Sequence, residues 1–208
     1  MSSVEYSPRG DISPSLVAIL AEVDVVDFPF RDQTSPDGSA TIVFTDLEGS
    51  TEMLERLGER RWLVIMSEHN RLIRDRVAAH DGAIVKSTGD GFMMLFASAS
   101  AGLACALELQ QIIGAYSARR PDEQLHVRIG LHTGNVFQEQ DDFLGKSVIV
   151  AARITGYARG GEVLVSETSK RYTERVARWR FGPSSNLRLK GLASSHRVYP
   201  AYWAGELQ

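Results

Sequence analysis

Two apolar, strand-like runs each end at an aspartate, and these two positions restrict the fold more than any other feature of the chain. The first is Thr41-Ile42-Val43-Phe44-Thr45-Asp46, which breaks into Leu47-Glu48-Gly49-Ser50-Thr51. The second is a pair of short runs, Ile84-Val85-Lys86-Ser87 and Phe92-Met93-Met94-Leu95-Phe96, joined through Gly89-Asp90-Gly91. Asp-Gly between hydrophobic runs predicts a β-hairpin without any metal. An Asp or Ser/Thr at a helix start is ordinarily a cap. If both strands belong to one sheet, however, the two carboxylates stand side by side at its edge. Hard divalent cations take oxygen ligands, and two aspartates can hold Mg²⁺ that a phosphorylated substrate completes. Phosphoryl chemistry is the leading expectation.

The rest of the chain supplies elements for such a sheet. Helical spacing of Leu63, Met66, Asn70, Ile73 and Val77 predicts a helix over about Ser50–Ala79, ended by Asp81-Gly82. A second helix is expected over about Ser98–Ala118, and a strand over Leu125–Leu131 turning at His132-Thr133-Gly134-Asn135. A third helix follows over about Lys146–Tyr157, then strand Val163–Val165 and a short helix capped by Ser166. Strands over Leu187–Leu189 and His196–Tyr202 close the chain. Strand, helices, hairpin, helix, strand is the order of a ferredoxin-like α+β unit, an antiparallel sheet with helices on one face. In it the first strand and the hairpin are neighbours.

Residues 1–39 read as an extension. Ser13-Pro14 opens a helix with the apolar stripe Leu16, Ile19, Leu20 and Val23, and a Pro/Gly/Ser segment around 32–39 links it to a domain over residues 40–208. The 208 residues are 43% hydrophobic and 24% charged, an ordinary globular composition. With 23 basic and 26 acidic side chains the net charge is −3, so no basic field invites nucleic acid. No apolar run approaches a membrane span, and Met1-Ser2-Ser3-Val4-Glu5 does not read as a secretory signal. A cytoplasmic protein without a membrane partner is expected. The single Cys105 lies in an apolar helical pattern and is expected to be a buried hydrophobe.

Six blocks, in order, resemble the class III nucleotidyl cyclase catalytic domain of the bacterial, adenylyl cyclase-like type. They are Phe44–Thr51, Lys86–Phe92, Arg128–Gly134, Asp142–Gly145 with Val150–Arg153, Gly161–Ser166 and Leu189-Lys190-Gly191. The resemblance spans roughly Ala40–Trp203 and implies a ferredoxin-like core with added strands. It implies a head-to-tail homodimer whose sites draw on both subunits. Asp46, Asp90 and the backbone carbonyl of Leu47 would bind two divalent cations, Mg²⁺ or Mn²⁺. Lys86 and Asp142 of the other subunit would read the base, Arg153 would stabilise phosphate charge and Lys190 would hold the triphosphate. The turn Leu47-Glu48-Gly49-Ser50-Thr51, running into a helix, offers N–H groups to phosphates. A lysine and an aspartate match N1 and N6 of adenine, yet a shifted guanine could use the same pair. The resemblance favours ATP, and hence adenylyl cyclase activity.

Each supporting residue also has an ordinary reading. Lys86 could be solvated, Asp142 part of an acidic loop with Asp141, Arg153 a surface helix residue and Lys190 a strand-edge charge. Where the family carries an asparagine that orients the ribose, four residues before the arginine, this chain has Ile149. Isoleucine has no hydrogen-bonding atom, so a slow enzyme is expected. Alternatives are a degenerate domain that binds nucleotide and regulates a partner, or guanylyl cyclase activity on GTP. Diguanylate cyclase shares two-metal logic, but its Gly-Gly-(Asp/Glu)-Glu-Phe turn is missing here.

Overall fold

The computed structural model describes residues 34–204, except Pro36, Asp141 and Ala177. The helix expected after Ser13 lies outside the described residues. Strand β1 (Ser39–Leu47) has buried side chains on both faces. By the two-residue alternation of a strand, Val43 and Leu47 enter one core while Ala40, Ile42 and Phe44 enter another. The single helix expected over Ser50–Ala79 is two, α1 (Ser50–Leu57) and α2 (Glu59–Ala79). They part at Gly58, whose φ of 77° no α-helix accommodates. Ile65, His69, Ile73 and Val77 recur every fourth residue and form the buried stripe of α2.

The hairpin expected around Gly89-Asp90-Gly91 forms from β2 (Ala83–Ser87) and β3 (Phe92–Phe96). Helix α3 (Ala99–Ala118) follows, its first turn capped by the Ser98 hydroxyl, which accepts from the N–H groups of Ser100 and Ala101. Cys105 is buried within it, and burial pushes its thiol up to about 12, so it packs as a neutral hydrophobe. Strand β4 (Val127–Asn135) runs straight through His132–Asn135, where a turn was expected. Those residues pair with Ile42, Thr41, Ala40 and Ser39 of β1, and the Thr41 and Thr133 hydroxyls meet at 2.9 Å.

A small hairpin, β5 (Phe137–Glu139) and β6 (Asp142–Leu144), leads into α4 (Lys146–Thr155). Then come β7 (Val163–Ser166), α5 (Glu167–Thr173), β8 (Trp179–Phe181), β9 (Ser185–Arg188) and β10 (Ser195–Trp203). The sheet order is β2-β3-β1-β4-β7-β10-β8, with β9 also on β10. Among the described residues only the β4–β7 pair is parallel.

The ferredoxin-like core is therefore present, with α2 and α3 packed on one face over Val43, Leu47 and Ile129. Helix α4 adds a layer on the opposite face, where Ala151 meets Ala40, Ile42 and Phe44. It comes close because β4 presents Gly130 there; a Cβ at that position would fall 2.3 Å from the Thr155 nitrogen.

Candidate active site

Asp46 is the penultimate residue of β1, and Asp90 sits in the β2–β3 turn; both are half-buried. Glycine is what seats that turn on β1. A Cβ on Gly91 would lie 2.0 Å from the Thr45 carbonyl oxygen and 3.1 Å from the Asp46 Cα. The Phe92 N–H donates to the Thr45 hydroxyl at 3.0 Å and fixes the approach. The two carboxylates expected to be neighbours thus flank one tight contact. Carboxylate oxygens are hard donors, of the type Mg²⁺ or Mn²⁺ takes. Among the described residues no group of three or more His, Cys, Asp or Glu side chains could hold a metal alone. Two carboxylates are the kind of ligand a hard divalent ion takes, with the rest of its coordination open.

The turn after Asp46 ends at Gly49, φ 71°, and no side chain caps the N-terminus of α1. Its first N–H groups are left for another acceptor. Ser50 and Thr51 line a cleft of about 760 Å³, as do Ser87, Gly89 and Asp90. Leu54, Trp62, Leu63 and Met66 supply its apolar lining. Leu47, Glu48 and Gly49 do not line it. The Glu48 carboxylate instead accepts from the Gly160 N–H at 2.9 Å, and the Glu48 N–H donates to the His126 carbonyl at 2.9 Å, tying the turn to the loop after α4 and to the residue that precedes β4.

Lys86 and Asp142, 56 positions apart, form an ion pair of 2.5 Å. The other carboxylate oxygen of Asp142 accepts from the Phe143 N–H at 2.8 Å, which orients the side chain. Arg153 is exposed on α4, and Ile149, one turn earlier, is 47% exposed on the same face. Lys190 is exposed beside Gly191, whose φ is 85°. Among the described residues no hydrogen bond or ion pair links Lys86, Asp142, Arg153 or Lys190 to Asp46 or Asp90.

Three further residues carry no functional role in the sequence reading. Arg128 stands opposite Asp46 in the β1–β4 ladder, and its Nη2 pairs with the Asp46 carboxylate. Only the strand register reveals that partnership. His69 is wholly buried on α2 with its ring tilted against Phe92 at 6.2 Å between centroids, and burial lowers its pKa. Its place on the apolar stripe of α2 was the available signal. His132 is a satisfied strand residue whose Nδ1 meets the Ser166 hydroxyl at 2.8 Å. Burial first, then His196 and Lys146, bring its pKa down to about 4.

This chain belongs to the adenylate and guanylate cyclase catalytic domain family, whose model matches residues 33–203. A putative adenylate cyclase 3 of Rhizobium meliloti is 32% identical over 134 residues, covering 64% of this chain and 23% of that protein. An uncharacterized protein of Mycobacterium tuberculosis is 30% identical over 133 residues, covering 63% of this chain and 44% of that one. The chain thus spans less than half the length of these curated relatives. Among solved structures, an adenylate/guanylate cyclase/hydrolase from Silicibacter pomeroyi superimposes with a TM-score of 0.70 at 29% identity, covering 81% of this chain and 98% of that one. The adenylyl cyclase CyaB from P. aeruginosa gives 0.70 at 20% identity, over 78% and 93% of the two chains, a likeness of fold.

Proposed function

We propose that this domain is an adenylyl cyclase, converting ATP into 3′,5′-cyclic AMP and pyrophosphate at sites shared between two copies of the chain. The observation that supports the ATP reading is the Lys86–Asp142 pair, a donor and an acceptor brought together from positions 56 apart, of the two residue types that the adenylyl members' likeness assigns to the base. Asp46, Asp90 and the Leu47 carbonyl would hold the two divalent cations. Bound there, Mg²⁺ or Mn²⁺ would acidify the ribose 3′-hydroxyl and neutralise the departing phosphate oxygens. The free N–H groups at the start of α1, with Ser50 and Thr51, would cradle the triphosphate.

In the reaction the 3′-oxygen forms a bond to the α-phosphorus and loses its proton to solvent. The bond from that phosphorus to the bridging oxygen breaks, and pyrophosphate leaves with the electron pair. Negative charge builds on the phosphate oxygens, so a fixed guanidinium at Arg153 and an ammonium at Lys190 favour the transition state over the ground state. Among the described residues no hydrogen bond or ion pair joins Lys86, Asp142, Arg153 or Lys190 to Asp46 or Asp90 of the same chain, which favours assembly from two chains. The exposed apolar side chains Phe137, Leu144, Ile149 and Tyr157 on β5, β6, α4 and the loop after it offer a surface for that partner.

The second reading is a nucleotide-binding module without turnover, and the bare isoleucine at position 149 beside Arg153 favours it. Chromatographic product analysis with ATP and GTP, with Mg²⁺, Mn²⁺ or neither, separates the two. Cyclic AMP formation that needs metal and is lost in Asp46→Ala is expected. ATP binding without any cyclic product after long incubation would select the regulatory module, and turnover unaffected by Asp46→Ala would remove the metal assignment.

A further inference from the structure

We propose that Glu48 is a positioning residue that ties the phosphate-binding turn of one active site to the helix carrying Arg153 into the other. The proposal rests on the shared-site reading above, in which the turn after Asp46 serves one site and α4 of the same chain serves the second. Glu48 is held twice. Its N–H donates to the His126 carbonyl at 2.9 Å, and its Oε2 accepts from the Gly160 N–H at 2.9 Å. Glycine at position 160 is what admits the carboxylate. A Cβ there would lie 2.5 Å from Glu48 Oε2 and 2.5 Å from the His126 Cβ.

The loop that receives Glu48 is itself anchored. The Ala158 N–H donates to the Thr155 carbonyl at 3.1 Å, continuing α4 toward the loop. The Gly161 N–H donates to the Val127 carbonyl at 2.9 Å, and the Ile129 N–H to the Glu162 carbonyl at 3.1 Å. The Gln110 side-chain amide donates to the same two carbonyls, of Val127 and Glu162, at 2.7 and 3.1 Å. The Glu48 bond therefore closes on a fixed frame, seven residues beyond Arg153. Charge argues against a substrate contact, because a carboxylate in a turn that receives a triphosphate repels it. With its Oε2 engaged by the Gly160 N–H, Glu48 works on the protein instead. A shift of the turn is passed through that bond to the loop after α4, and so to the Arg153 guanidinium of the other site.

The test uses hybrid dimers made by mixing full-length Asp46→Ala and Lys86→Ala chains, in which one site is intact. That site takes its phosphate turn from the Lys86→Ala chain and its Arg153 helix from the Asp46→Ala chain. Glu48→Ala is added to one chain at a time, and cyclic AMP formation is followed as ATP is varied. On the Lys86→Ala chain it is expected to raise KM for ATP about tenfold, because the turn loses its tie. On the Asp46→Ala chain, whose own turn takes no part in the intact site, it is expected to lower kcat about threefold or more, because Arg153 loses its tie. Glu48→Gln keeps an oxygen acceptor for the Gly160 N–H and is expected to restore both, which separates a lost bond from a lost fold. An unchanged kcat with Glu48→Ala on the Asp46→Ala chain overturns the proposal, and so does a glutamine variant as impaired as the alanine one. A parent mixture without any activity removes the shared-site reading instead and takes the proposal with it.

Discussion

Ile149 lies one helical turn from Arg153 with nearly half of its surface in solvent, so its apolar side chain packs no core of its own subunit. Ile149→Asn consequently removes no buried contact and is expected to leave folding intact. It restores a hydrogen-bonding group beside the arginine, and kcat with ATP is expected to rise by about tenfold or more, the scale of one preorganised polar contact. Steady-state kinetics check this; an unchanged kcat would detach position 149 from the reaction. A second prediction concerns His132 and His69. Burial lowers both, His132 to about 4. In the unfolded chain each takes up a proton near 6.5, while in the folded chain His132 resists protonation until about 4. Above 6.5 neither state binds the proton, and these groups add no pH dependence. Between about 6.5 and 4 the unfolded state binds more protons, so stability falls as the pH falls. Melting temperatures across that range are expected to decline, and His132→Gln is expected to flatten the decline.

At the scale of elements, the seating of the β2–β3 turn on β1 depends on Gly91. Gly91→Ala places a methyl 2.0 Å from the Thr45 carbonyl oxygen, a backbone atom that cannot swing aside. A destabilisation of about 1–3 kcal/mol is expected, as for other overpacked sites. Weaker Mn²⁺ binding should accompany it because Asp90 moves with the turn. Unaltered melting and metal binding would show that the turn is not so tightly held. This element also shows how much was legible beforehand. The hairpin, its Asp90 and the strand ending at Asp46 all carry local signals, namely alternating hydrophobics and Asp-Gly, and each was readable. The break at Gly58 was hidden because α1 and α2 both continue a helical pattern, and only a positive φ separates them. Strand β4 was cut short because His132-Thr133-Gly134-Asn135 has turn composition, while its real partner, Ser39 to Ile42, is far away in the chain. For the same reason the Lys86–Asp142 pair followed from family likeness alone, and Arg128 from nothing local: the first joins residues 56 positions apart, and the second depends on the register between β1 and β4.

At the scale of the whole molecule, the single chain holds the proposed parts of a reaction centre without bringing them together. Asp46, Asp90 and the start of α1 form one group, and Lys86 with Asp142 another, with no bond between the groups among the described residues. Exposed Phe137 and Leu144 face each other across the β5–β6 hairpin, next to α4. A head-to-tail pair would bury these side chains and place the base-reading group of one copy over the metal cradle of the other, giving two equivalent sites. Two variants, Asp46→Ala and Lys86→Ala, then damage opposite halves of each site. Each alone is expected to make little or no cyclic AMP. Mixed in equal amounts, they form hybrids in which one site carries both lesions and the other is intact, so about a quarter of wild-type activity is expected to return. Cyclic AMP production by this mixture is the most direct measurement of the account: recovery well above either variant alone is the predicted result, and a mixture as inactive as its components would contradict it.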